Sequence, residues 1–120
     1  MSESNLLAID LAKSSFQAHL AAPNGRALVR KKLSRGALAD FVAKSDATVV
    51  AMEACAGANY WGRRFTALGK EVKLLAPQYV KPFVKTNKND ANDAEAIAEA
   101  AARSSMRFVP LKTVAQQDIS

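Results

Sequence analysis

Cysteine, histidine and tryptophan each occur once in this 120-residue chain, proline four times and glycine five. A single cysteine, Cys55, forms no intrachain disulfide, which excludes a disulfide-stapled scaffold and fits the reducing cytoplasm. Glycine and proline are too few for a collagen-like or low-complexity chain. No run approaches the roughly 20 apolar residues that cross a bilayer. The apolar run Leu6 to Ile9 is also too short for a signal peptide and leads directly into Asp10 and Lys13. Acidic residues are the scarcer charge, 11 against 17 Lys and Arg, which leaves +6 at neutral pH and a pI near 9.7. A basic balance favours a polyanionic partner, nucleic acid above all.

What is present suffices for one folded domain. Hydrophobic residues make up 49% of the chain and mean hydropathy is -0.09, enough to bury one core. Alanine, with 24 residues, favours helices in the second half and close packing between elements.

Asn5 to Leu11 (NLLAIDL) reads as a buried strand ending in an acid. Ala12, Lys13 and Ser14 form a tight connection. Phe16, Ala18 and Leu20 alternate with Ser15, Gln17 and His19, a half-buried strand with His19 on its polar side. Pro23-Asn24-Gly25 signals a hairpin. Arg26 to Leu33 reads as a third strand, in which Ala27, Val29 and Leu33 alternate against Arg26, Leu28, Arg30 and Lys32. Ser34 is an N-cap candidate for a helix carrying Leu38, Phe41 and Val42. Thr48 to Met52 is a short β-branched run, hence a buried strand, and Glu53 ends it. A helix over Tyr60 to Leu68 is closed by Gly69. Glu71 to Leu75 is a strand stopped by Pro77, and one or two helical turns follow to Val84. Asp90 to Arg103 is the clearest helix, with acids in its first turn. The tail from Met106 shows no period. The order βββαβαβα predicts an α/β fold, a three-stranded antiparallel meander continuing into a mixed sheet with helices on its faces.

Four acids occupy telling positions. Asp10 and Glu53 end strands that share a sheet edge if they are neighbours, the edge where α/β proteins bind ligands. Asp90 and Asp93, at i,i+3, lie on one face of the last helix, which Ile97 and Ala101 continue toward the core. Carboxylates about 4 Å apart oppose each other's ionisation unless a cation intervenes. Hard oxygen donors without convergent His or Cys point to Mg²⁺ or Mn²⁺ rather than zinc. A pair of such ions clamps the attacking and leaving oxygens of a phosphodiester. Taken singly, each acid has an ordinary explanation: a turn or cap residue at Asp10, a surface acid at Glu53, a cap and a dipole-favouring acid at Asp90 and Asp93.

Lys81, Lys85 and Lys88, interleaved with Tyr79 and Phe83, form a basic run before the acidic helix. With Lys13 and Arg63 they are candidate phosphate contacts; a solvated face explains the run equally well. Arg26, Arg30, Lys31, Lys32 and Arg35 cluster around the third strand, where they also serve edge-strand solubility. Cys55 reads as a small packed residue rather than a nucleophile paired with His19. Tyr60 and Trp61 read as core rather than as a base-stacking pair.

The segments IDLAKSSF at 9–16, MEACAG at 52–57, LLAPQYVKPFVKTNKNDANDAEAIAEAA at 74–101 and RFVPLKT at 107–113 together resemble the N-terminal domain of the IS110-type transposases, a family that includes the pilin-gene inverting recombinases. The resemblance covers essentially the whole chain. It implies a RuvC-like, RNase H-like fold with a DEDD tetrad, matched here by Asp10, Glu53, Asp90 and Asp93. It further implies Mg²⁺ dependence, DNA strand cleavage and exchange, a structured guide RNA as partner, and homo-oligomeric assembly on DNA. Family members continue into a helical segment and a serine-bearing domain. Residues 1–105 are therefore expected to form the DEDD metal-binding domain, and 106–120 the start of a linker or helical segment. Three alternatives stay open: a stand-alone nuclease resembling the Holliday-junction resolvases, an actin-like ATP-binding lobe, and a non-catalytic interaction module. The ATP-binding lobe needs glycine-rich phosphate turns, which are absent from this sequence.

Overall fold

β-Strand pairing sets the architecture. The structure, a computed structural model, describes residues 4–12, 15–85 and 90–119, without the side chains of 90–92 and 118–119. β1 (Leu6–Leu11), β2 (Phe16–Ala21) and β3 (Ala27–Leu33) form the antiparallel meander. β4 (Val49–Glu53) pairs parallel with β1, and β5 (Glu71–Leu75) parallel with β4, so the sheet order is β3-β2-β1-β4-β5. α1 (Arg35–Lys44) connects β3 to β4, and α2 (Ala56–Ala67) connects β4 to β5. The short α3 (Pro77–Val80), a 3-10 turn at Lys81–Phe83, α4 (Asp90–Ala101) and α5 (Val114–Ile119) complete the chain.

The two faces of the sheet are packed differently. On one, Leu7, Ile9, Phe16, Leu20, Val50 and Met52 meet Leu38 and Val42 of α1 and Trp61 and Phe65 of α2. On the other, Ala8 and Ala51 face Ala96, Ile97 and Ala100 of α4. Alanine on both partners removes side-chain bulk from the contact, so α4 seats close to the sheet. The abundance of alanine in the sequence thus has a specific use.

Turn chemistry follows the sequence. Gly25 has φ of 91°; its N–H donates to the Ala22 carbonyl at 2.8 Å, and the Arg26 N–H donates to Asn24 Oδ1 at 2.9 Å. At the end of α2, Gly69 has φ of 88°. Its N–H donates to the Thr66 carbonyl at 3.0 Å, and the Lys70 N–H donates to the Phe65 carbonyl at 3.1 Å, the paired bonds of a Schellman motif. Ser34 occupies the N-cap of α1 but its side chain makes no cap bond there; buried Leu38 and Val42 hold the helix instead.

The structure corrects several sequence expectations. α2 begins at Ala56, four residues before the predicted start, because the small residues after Cys55 carry no apolar period. β3 takes the edge position that its basic residues suggest, but of its alternating apolar residues only Leu33 is buried. Cys55 is exposed rather than packed. Tyr60 is exposed, whereas Trp61 beside it is buried. His19, placed by alternation on a polar face, is buried because α4 covers that face, and its Nδ1 has no hydrogen-bond partner.

The segment after α4 packs back onto the domain. The Val109 N–H donates to the Leu74 carbonyl at 2.7 Å, which covers the outer edge of β5. Leu111 seats on Gly62 of α2, where an added Cβ would lie 2.6 Å from its Cδ1.

Two outcomes test this description. Gly69→Ala places a Cβ on left-handed backbone and is expected to lower the unfolding free energy by about 1–2 kcal/mol. Gly36→Ala, in helical backbone with open space around it, is expected to change it in the opposite direction; urea denaturation reads both. Burial first, then the facing Arg30, pushes the His19 pKa below its ordinary 6.5, against the opposing pull of Glu95 and Glu99. The folded chain therefore refuses a proton that the unfolded chain accepts, and stability is expected to fall as pH drops through 6.5. His19→Leu should flatten that dependence between pH 7 and pH 5.

Candidate active site

The parallel register brings two of the four acids together. Leu6 pairs with Val49, and the pairing runs in step to Ile9 with Met52. One further step sets Asp10 level with Glu53 at the carboxyl ends of adjacent central strands. Side chains alternate along a strand, so Asp10 shares a face with Ala8, and Glu53 with Ala51. That is the face covered by α4. Both residues are half-buried.

The other two acids singled out in the sequence lie on α4. Its first residue is Asp90 and its fourth Asp93; the Asp90 side chain lies outside the described residues. Burial, and after it the charge of Asp93, push the Glu53 carboxyl above its ordinary range. Glu53 and Asp93 are thus electrostatic neighbours across the gap between β4 and α4. Among the described residues, no group of three or more His, Cys, Asp or Glu side chains stands close enough to hold a metal ion.

The candidate phosphate contacts divide. Lys13 and Lys88 lie outside the described residues. Lys81 is exposed in the 3-10 turn. Lys85 sits 3.6 Å from Glu99 in an exposed ion pair, a contact weak enough for a phosphate to displace. Arg63 is committed elsewhere: its Nη1 donates to the Lys112 carbonyl at 2.8 Å and to Gln117 Oε1 at 2.7 Å. It fastens the returning tail to α2. Gln17 lies directly opposite Asp10 on β2, where the alternation of the meander brings a polar residue onto the acid's face.

A family model for transposases, the DEDD type of IS110, matches residues 7–120. The chain belongs to the IS110 transposase family. It is 50% identical over 115 residues to the transposase for insertion sequence element IS1328 of Yersinia enterocolitica, covering 96% of this chain and 34% of that protein. It is 47% identical over 119 residues to the transposase for insertion sequence element IS1111A of Coxiella burnetii, covering 99% and 33%. The chain therefore spans about a third of the length of these IS110-family relatives. Its fold is RuvC-like. Thermus thermophilus RuvC superposes with a TM-score of 0.66 at 13% identity, covering 88% of this chain and 99% of that one. A structure of T. thermophilus RuvC in complex with a Holliday junction substrate gives 0.62, also at 13% identity, covering 89% and 100%. Among the described residues of this IS110-family chain, no helix is long and apolar enough to cross a membrane.

The Glu53 environment yields a signed prediction. A carboxyl with a raised folded pKa favours the fold fully below its unfolded value, and that contribution is lost as pH rises through the folded value. In EDTA at pH 7, Glu53→Gln is therefore expected to raise the thermal midpoint above wild type, and at pH 4 the difference should shrink. Calorimetric melts at the two pH values check it.

Proposed function

We propose that this chain is the metal-dependent DNA-cutting domain of an IS110-type transposase. The observation that carries the reading is the β1–β4 register, which sets Asp10 level with Glu53 on the face where α4 delivers Asp93. Family membership and the RuvC-like fold support it. Asp10, Glu53, Asp90 and Asp93 would hold Mg²⁺, with Mn²⁺ as a substitute. The donor chemistry fits: carboxylate oxygens alone suit a hard divalent cation. Burial, and after it the charge of Asp93, raise the Glu53 carboxyl, and a bound cation would offset the part that Asp93 contributes.

When bound, the metal supplies Lewis acidity and charge neutralisation at a phosphodiester. The chain's own residues do the rest. The central strands fix Asp10 and Glu53 on rigid backbone, and the alanine contact holds α4 against the sheet. Lys81 and Lys85, with Lys13 and Lys88, are read as contacts to the flanking phosphates. DNA strand exchange, a guide RNA and assembly of protomers on DNA belong to the same reading of the longer protein, and family membership is what supports them.

Calorimetric titration with MnCl₂ tests the metal site. Asp10→Asn and Glu53→Gln are each expected to weaken binding by at least about tenfold, the loss seen when even indirect supports of a metal are removed. Unchanged affinity in both variants would sink the reading. Nicking of supercoiled DNA should require Mg²⁺ and disappear in EDTA.

A second reading has its own support. The RuvC chains are covered almost end to end by this fold, which favours a nuclease that cuts branched DNA by itself. Preferential cutting of a four-way junction over linear duplex by this chain alone would select it.

A further inference from the structure

Beside the acidic edge, on the opposite face of the sheet, lies a second arrangement that the four acids do not use. Leu11, Phe16 and Leu33 form a row across β1, β2 and β3, one residue beyond Asp10. The start of α2 meets this row, because a Cβ at Gly57 would contact Leu11 Cδ1 at 3.9 Å. Trp61, in the second turn of α2, packs edge-on against Phe16 at 5.6 Å and stacks with Phe65 at 5.7 Å. It is 3% exposed, so its indole is a fixed part of the core.

Two guanidinium groups lie on that indole. Arg35, the first residue of α1, is 5.4 Å from the ring centre, and Arg64 is 5.1 Å from it. Arg64 also lies 5.9 Å from the ring centre of Tyr60 and donates a long hydrogen bond to its hydroxyl at 3.4 Å. Lys31 adds a third cation over Phe41, at 5.7 Å. The ion pairs among the described residues involve other bases, Arg30, Lys44 and Lys85. Arg35, Arg64 and Lys31 have no carboxylate partner there.

Like charges gathered on one aromatic support repel unless an anion joins them. A guanidinium resting on an aromatic face keeps its N–H edge available for a phosphate. At the rim stands Tyr60, 43% exposed and held edge-on against Trp61 at 5.2 Å. An exposed, immobilised ring beside paired arginines is the combination that binds an unpaired base together with its backbone.

We propose that Arg35, Tyr60, Trp61 and Arg64 form a ledge for single-stranded DNA flanking the acidic edge. The phosphates sit on Arg35 and Arg64, and one base stacks on Tyr60. The ledge rests on the DNA-cutting reading above: it receives the strand as it leaves the edge where the acids stand. Single-stranded rather than paired DNA is assigned because only an unpaired base offers its face to Tyr60.

The chain reports on its own ledge, since Trp61 is the single tryptophan. In EDTA at low salt, a mixed-sequence single-stranded oligonucleotide is expected to quench its fluorescence. Tyr60→Ala should weaken single-strand binding by about tenfold, the scale of one lost base stack, and Tyr60→Phe should retain it. Arg64→Ala should reduce the salt slope by about one. Thermal melts confirm folding of each variant. Wild-type affinity in both Tyr60→Ala and Arg64→Ala overturns the ledge while leaving the DNA reading intact. Equal loss on blunt duplex overturns the stacked base, and a loss confined to RNA of the same sequence overturns the assignment to DNA. Absence of any wild-type binding to single- or double-stranded DNA removes the DNA reading itself, and the ledge with it.

Discussion

Parallel pairing between β1 and β4 is the constraint on which the candidate site depends. These strands are distant in the chain, and the register of Leu6 with Val49 through Ile9 with Met52 leaves Asp10 and Glu53 level at one edge. A slip of one residue would turn every β4 side chain to the other face. Glu53 would then point into the apolar layer of α1 and α2, and Met52 would join the acids. Burial of Val50 and Met52 on one face and of Ala51 on the other holds the register against that slip.

The unequal faces of the sheet serve this arrangement. Large side chains fill the layer under α1 and α2 and supply most of the apolar burial. The other face is lined by alanine, so α4 approaches closely and its first turn reaches the strand ends. The same closeness buries His19 and raises the Glu53 carboxyl, two unfavourable environments created by one contact. They differ in consequence: a neutral imidazole tolerates burial at neutral pH, whereas opposed carboxylates gain from a cation.

The tail and the basic side chains show how a positive balance is divided. Arg63 is drawn inward to fasten the returning tail, Arg30 and Lys85 meet glutamates of α4, and Arg35 and Arg64 rest on Trp61. Net charge alone does not distinguish these roles. Among the described residues, the last pair meets neither a carboxylate, as Arg30 and Lys85 do, nor the returning tail, as Arg63 does.

Local sequence determined the strands, the hairpin at Pro23-Asn24-Gly25, the left-handed close of α2 at Gly69 and the acidic start of α4. In each, a few neighbouring residues carry the period or the backbone preference that decides the outcome. The four acids were legible as strand ends and a helix start, and the family motifs named them. Only tertiary structure decided what covers each face. Alternation placed His19 on the polar side of β2, yet α4 buries it. A similar alternation in β3 marks an apolar side, yet Ala27 and Val29 stay exposed and only Leu33 reaches the core. Adjacent Tyr60 and Trp61 look alike in sequence, but helix rotation sends one ring into the core and the other to solvent. Arg63 and Arg64 likewise part, one to the tail and one to the indole. These outcomes depend on partners far along the chain, and no local pattern encodes which partner arrives.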